Sequence, residues 1–343
     1  RTFTLFGAAV LAAGLVACGS SSAPQDVAAA PRTITDTTGR QVTVPATVKR
    51  VVTVGSVPVL NSFPFAVGEG ATIVNGIPGG NTAMYSSYTV FAPDLLTAPT
   101  VQSAIGQPPN VEAVLNLKPD VALTSDAATA DQLQAAGVPT VVLGLETGDK
   151  IKDSVRVTGE VYGKQQQAAD YVAYFDDTVK RANAVSSTIA DADRPTVLYV
   201  NLQPLRRPNR IMEFMLDQVG AKSVTHDVQV GQFQFGVEQF QQWNPQMIIG
   251  MRPEDRTGLT SDPKFAALQA VQNNKIGIIP TGIQIWGNNT TEQPLGLLWV
   301  ATFLHPQQYA SIDMKAETKN FYQRFYGVTL TDEQTTQLLN AAL

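Results

Sequence analysis

The chain has 343 residues, of which 44% are apolar and 15% charged, with a net charge of −5. That is more than one hydrophobic core usually organises, so two domains are expected. The acidic balance excludes a nucleic-acid groove, which needs a basic face.

In chain order, Leu5 to Val16 is an apolar run too short to span a membrane but suited to the core of a signal peptide. It ends in Leu15-Val16-Ala17-Cys18, the form of a lipobox, in which small residues precede the cut and the thiol of Cys18 carries the lipid. Residues 1–17 are therefore expected to be a lipoprotein signal peptide and Cys18 the lipidated residue. Only Arg1 represents the basic n-region, so initiating residues are expected to precede it. Cys18 is the sole cysteine, which fits export without disulfides. Residues 18–31, rich in Ser, Ala and Pro, lack apolar periodicity and predict a flexible tether.

An α/β lobe is expected over 32–160. Ile34 to Pro45 alternates about a glycine-containing turn, as a hairpin does, and apolar strands are predicted at Val51–Val54, Thr72–Val74, Val121–Leu123 and Thr140–Leu143. Helical stretches separate most of them, which predicts a parallel sheet. Over 161–192, apolar residues from Tyr171 to Ile189 recur at steps of three and four, predicting one helix across Lys164–Ile189, about 39 Å long. A second lobe over 193–343 repeats the plan with strands at Thr196–Val200, Met247–Ile249 and Gly277–Ile279. An apolar helix follows at Pro294–Phe303, then a helix begun by Thr331 with Gln334 as its capping-box partner. The expected fold class is α/β, two Rossmann-like lobes with parallel sheets joined by one long helix.

A repeat ties the lobes together. Val111 to Leu123 parallels Val237 to Ile249: a short helix apolar at its first, fourth and seventh positions, a proline stop, then an apolar strand. Glu112 and Glu238 occupy the first turn of each helix. The macrodipole favours a carboxylate there, but dipole preference alone does not explain the pairing.

These features together resemble the substrate-binding proteins of class III ABC importers, which serve iron-siderophore, haem and cobalamin uptake. The residues that carry the likeness are Thr35 to Arg40, Arg50-Val51-Val52, Glu112 to Asp120, Glu238 to Ile249, Pro294 to Trp299 and Phe321 to Gly327, spread over most of 32–343. The resemblance implies that Glu112 and Glu238 engage arginines of an ABC permease dimer. It also implies a monomeric, lipid-anchored binding protein in the extracytoplasmic bacterial envelope.

In open α/β sheets the ligand lies beyond the carboxyl ends of the strands. Lobe one offers Tyr85 and Tyr88 there; lobe two offers Arg206, Arg207, Arg210, Arg252 and Trp286. Arginine forks recognise carboxylates and chelate oxygens, and flat rings suit a bulky body. Ligand-binding residues are accordingly expected at Tyr85, Tyr88, Arg206, Arg207, Arg252 and Trp286, with Arg252 foremost, since similar siderophore binders use an arginine from that loop. The alternative is that Arg206 to Arg210 form a solvated loop and Trp286 is core. Lobe one lacks the matching basic residue of arginine-caged siderophore sites, which keeps haem, a neutral hydroxamate or a corrinoid open beside a ferric siderophore; on haem iron, Tyr85 or Tyr88 is the candidate tyrosinate. No intrinsic cofactor and no metal site are expected, since His226 and His305 are the only histidines and His305 reads as structural. An enzyme is not expected: Gly68-Glu69-Gly70 breaks the dinucleotide fingerprint at Ile73, and no elbow serine or phosphate loop is present. A lipid-anchored adhesion protein would have no use for the repeated glutamate helix.

Overall fold

The structure is a computed structural model and describes residues 2, 30–79 and 85–343. Apart from Thr2, the signal segment lies outside the described residues, as do Cys18 and all of the tether but its last two residues.

Two parallel sheets organise the chain. In the first, β3 (Val51–Val54), β4 (Val121–Thr124) and β5 (Thr140–Val142) lie in the order β3-β4-β5. In the second, β6 (Thr196–Leu202), β10 (Met247–Gly250) and β11 (Ile276–Ile278) lie in the order β11-β10-β6, with the short β8 (Lys222–Ser223) beside β6. Period-two alternation sorts their side chains. Val121, Leu123, Val197, Tyr199, Met247 and Ile249 face one large cluster shared by both lobes. Val52, Val54 and Ala122 face a second cluster on the outside of lobe one, and Leu198, Val200 and Ile248 a third outside lobe two. Burial on both faces is why these strands read as apolar runs rather than alternating ones.

The hairpin of β1 (Arg32–Thr35) and β2 (Gln41–Val44) forms as predicted. Asp36 orders its turn by accepting from the Thr38 and Arg40 amides at 2.9 and 3.0 Å, and docks it on β5 through the Val142 amide at 3.2 Å.

The predicted strand at 72–74 is reduced to a single bridge, Ile73 opposite Val51, after a turn of 3-10 helix over Gly70–Thr72. The buried Asn75 side chain replaces the missing ladder. Its Oδ1 accepts from the Thr53 amide at 2.8 Å and its Nδ2 donates to the Thr53 carbonyl at 3.0 Å. A side-chain amide standing in for backbone leaves no apolar alternation to detect.

The long helix runs over Gln165–Ser186, 22 residues or about 33 Å, packed against the helix Gly148–Tyr162. It is shorter than predicted at its C-terminal end, where Thr188 and Ile189 close in turns. The Tyr171 hydroxyl donates to the Thr291 carbonyl at 2.7 Å and that of Tyr309 to the Ala182 carbonyl at 2.8 Å. The apolar helix Gln293–Leu304 and the capping box of Asp332–Leu339, with Thr331 and Gln334 as partners, match expectation.

The stretch 201–210 departs from the loop expected there. β6 turns back into β7 (Leu205–Arg207), which pairs with β9 (Phe233–Gln234). Alternation then sends Arg206 outward and Arg207 inward. The Arg207 guanidinium, fully buried, bonds Glu213 Oε1 at 3.0 Å and the carbonyls of Thr225, Val228 and Val230, clamping 225–230 to the helix Ile211–Val219. Removing one member of a buried pair strands the other, so Arg207→Ala should cost about 3–5 kcal/mol. Chemical denaturation checks this, and Arg207→Met combined with Glu213→Leu should recover most of the loss. A double variant as unstable as the single one would show that the pair was not the cause.

Candidate functional site

A cavity of about 510 Å³ lies between the lobes. Lobe one contributes Ser86 and Ser87, and lobe two Arg252, Glu254, Thr281 and Ile285, with the final residues 341–343 along one side. Arg252 and Glu254 also border a smaller compartment of about 180 Å³ reaching Asn201 and Gln203.

Arg252 is placed by β10 and by Asp255. The strand ends at Gly250, and the helix Pro253–Ser261 starts three residues later. Buried Asp255 accepts from the amides of Met251 and Arg252 at 2.9 and 3.0 Å through Oδ2, and from Leu202 at 2.8 Å through Oδ1. Burial pushes its carboxyl up, and the three amides oppose that. The loop is thereby fixed by amide bonds to the Asp255 carboxylate, and the Arg252 side chain lines the cavity. Its charge is felt at Tyr85, whose hydroxyl burial pushes up and Arg252 pulls back.

On the opposite wall the Ser86 hydroxyl donates to the Leu343 main-chain oxygen at 2.6 Å. That of Ser87 donates to the Gly282 carbonyl at 2.5 Å, a direct bridge between lobes. A second bridge lies deeper, where the Thr291 hydroxyl donates to the Ser62 carbonyl at 2.9 Å and the Thr291 amide to Ser62 Oγ at 3.2 Å.

Of the six residues expected to bind ligand, only Arg252 reaches this cavity. Arg207 is spent in its buried pair with Glu213, and Arg206 reaches Gln232 Oε1 at 2.7 Å on the outer hairpin, as Arg210 reaches Gln229. Trp286 is fully buried, with its indole N–H donating to the Tyr322 hydroxyl at 3.1 Å. Tyr88 is also fully buried, its hydroxyl accepting from Asn61 at 3.2 Å, and Tyr85 packs edge-on against it at 6.0 Å. These rings are core because the segments carrying them turn inward to close the lobe junction. Sequence reasoning missed Ser86, Ser87 and Glu254, because such isolated polar residues carry no periodic signal. His305 bonds the Gly220 carbonyl at 3.1 Å, the structural placement expected of it. His226 stands exposed, 3.8 Å from Asp217.

The repeat is reproduced in detail. The helices Val111–Asn116 and Val237–Trp243 bury Val114 and Phe240 at equivalent positions. Lys118 and Asn244, 126 positions apart, both adopt left-handed backbone, with φ of 46° and 38°. Each copy then passes a proline into an interior strand of its sheet, β4 or β10. Glu112 and Glu238 are both exposed in the first helical turn.

Known proteins share this architecture. The profile of the periplasmic binding protein family matches residues 82–281, and the chain belongs to that family. It is thus a class III substrate-binding protein of an ABC importer, a family of extracytoplasmic solute binders. The molybdate-binding protein MolA of Haemophilus influenzae is 27% identical over 91% of this chain and 95% of its own. An iron(3+)-hydroxamate-binding protein of Bacillus subtilis, YxeB, is 27% identical over 55% of this chain and 53% of its own. Among solved structures, MolA with molybdate superposes with a TM-score of 0.78 at 23% identity, covering 88% of this chain and 99% of that one. A periplasmic solute-binding protein of Veillonella parvula gives 0.76 at 24% identity, covering 90% and 97%.

Proposed function

We propose that the cleft captures a compact anionic metal species, first of all a molybdate-class oxyanion, for delivery to an ABC permease. The observation that carries this is the Arg252 guanidinium on the wall of the inter-lobe cavity, with the Thr281 hydroxyl-bearing side chain lining the same cavity. An oxyanion takes its selectivity from such donors, with the guanidinium bond stronger than the neutral ones. Similarity to MolA over most of both chains supports the same ligand class.

A ferric hydroxamate or similar siderophore chelate is the second reading. The cavity, with its side compartment, holds far more than one tetrahedral ion and falls in the range of larger ligands. Glu254 beside Arg252 also tempers the positive charge. Haem and cobalamin fit less well, since Tyr88 and Trp286 show no face to a planar macrocycle and burial pushes the Tyr88 hydroxyl up, against a tyrosinate. Permease docking is assigned to Glu112 and Glu238, and a membrane anchor to Cys18. A relative 24% identical over 79% of the chain, YvrC of Bacillus subtilis, is itself named a substrate-binding lipoprotein.

Calorimetric titration with molybdate, sulfate, ferric ferrioxamine and haem tests the ligand. Saturable one-to-one binding of molybdate, with sulfate weaker, is the expected result. Tight binding of ferrioxamine alone moves the assignment to the chelate. Heat from none of the four sinks both.

A further inference from the structure

Behind the cavity wall lies a carboxylate that the ligand assignment leaves unused. Glu292 is fully buried, and among the described residues no cation pairs with it. Its Oε1 accepts from the Ile283 amide at 2.9 Å and the Tyr322 hydroxyl at 2.5 Å. Its Oε2 accepts from the Gln284 amide at 2.8 Å and the Thr290 hydroxyl at 3.2 Å. Four donors thus surround one anion, and two of them are consecutive main-chain amides of the cleft loop.

That loop spans 281–286. Thr281 and Ile285 line the cavity, and the Gly282 carbonyl accepts the Ser87 bridge from lobe one. The fit is close: a methyl group on Gly282 would lie 1.9 Å from Glu292 Oε1 and 2.0 Å from the Tyr322 hydroxyl. No side chain fits there, so the loop can approach the carboxylate only at a glycine. From Glu292 a continuous path of hydrogen bonds runs through the loop to Gly282 and on to Ser87.

We propose that Glu292 is a positioning residue for ligand capture, an anchor that holds the 281–286 loop in its binding shape and keeps the Gly282–Ser87 bridge between the lobes. This rests on the inter-lobe cavity being the ligand site. The Tyr322 hydroxyl bonds the carboxylate directly, and the buried hydroxyls of Tyr88, Tyr171 and Tyr326 lie within its electrostatic reach while bonding other partners. Burial pushes its own carboxyl up to about 7, opposed by the four donors. A folded value above the usual one means the anion is unfavourable to the fold. Stability from this group is fully present below pH about 4.5 and is lost as pH rises through about 7. A buried carboxylate held by hydrogen bonds but by no cation, and kept at a lobe junction, is what function at the expense of stability produces.

The test is Glu292→Gln in the full chain at pH 8. The amide has one oxygen for two amide donors on opposite sides, so the Ile283 or Gln284 N–H must lose its acceptor, while the buried charge disappears. The melting temperature should therefore hold or rise, hydrogen exchange at the Ile283 and Gln284 amides should quicken at least tenfold, and molybdate affinity should fall at least tenfold. In the wild type the Trp286 indole N–H resonance, coupled through Tyr322, should titrate near neutral pH, and in the variant it should not. A purely structural residue would lower the melting temperature together with affinity. If neither protein binds molybdate, the ligand assignment fails separately and the exchange and indole readouts decide the anchor. Unchanged exchange at both amides, or unchanged affinity in a protein whose wild type binds, overturns it. Should the glutamine variant fail to fold, Tyr322→Phe, which removes one donor to the carboxylate and also the acceptor of the Trp286 indole, must shift the same amides in the same direction.

Discussion

Arg252→Ala should weaken capture of the cleft ligand by about 10- to 150-fold, with little change in melting temperature. The magnitude follows from the worth of a hydrogen bond to a charged group, about 1.5–3 kcal/mol, at 1.4 kcal/mol per tenfold. Stability is spared because Asp255 fixes the loop through the amides of Met251, Arg252 and Leu202, none of which needs the guanidinium. Arg252→Lys separates charge from shape. It keeps a cation at the wall but loses the planar fork, so its affinity should fall between wild type and alanine if the ligand presents paired oxygens. Equilibrium titration with molybdate and with ferric ferrioxamine reads all three proteins. Alanine binding within twofold of wild type would remove Arg252 from the site and with it the charge on which the oxyanion reading rests.

How much of this was visible in the sequence depends on the physical origin of each feature. The strands β3, β4, β6 and β10 were legible because burial on both faces makes them continuous apolar runs. The 126-residue repeat was legible because helix, left-handed turn, proline and strand each restrict residue type. Arg252 could be placed because the strand-end rule needs only the strand. Arg207 and Trp286 failed for a different reason. Chain position put them near the cleft, but the pleat of β7 and the inward fold of 281–286 decide which way each side chain points, and neither the antiparallel return at β7 nor the Glu292 anchor has a sequence period. Ser86 and Ser87 enter the site only through the juxtaposition of lobes, a long-range property that local pattern does not encode.

The other large effect concerns transport rather than capture. Reversing both surface carboxylates, Glu112→Arg with Glu238→Arg, should cut ligand uptake in cells by at least tenfold while the purified protein binds its ligand within twofold of wild type. Both residues are exposed and neither lines the cavity, so affinity has no reason to change. Each substitution forfeits a helix-dipole contribution of about 0.3–1 kcal/mol, too little to unfold the lobes. At a docked interface the cost is of another order, since like charges in contact cost several kcal/mol where opposite ones attract. Single reversals should give intermediate uptake if each lobe's carboxylate meets one subunit of the permease, as proposed. Raising the salt concentration should weaken docking of the wild type in reconstituted membranes, as screening shortens the reach of exposed charge. Undiminished uptake by the double variant would mean that the repeat preserves only a folding unit, and the permease would then have to grip the lobes by some surface other than these two helices.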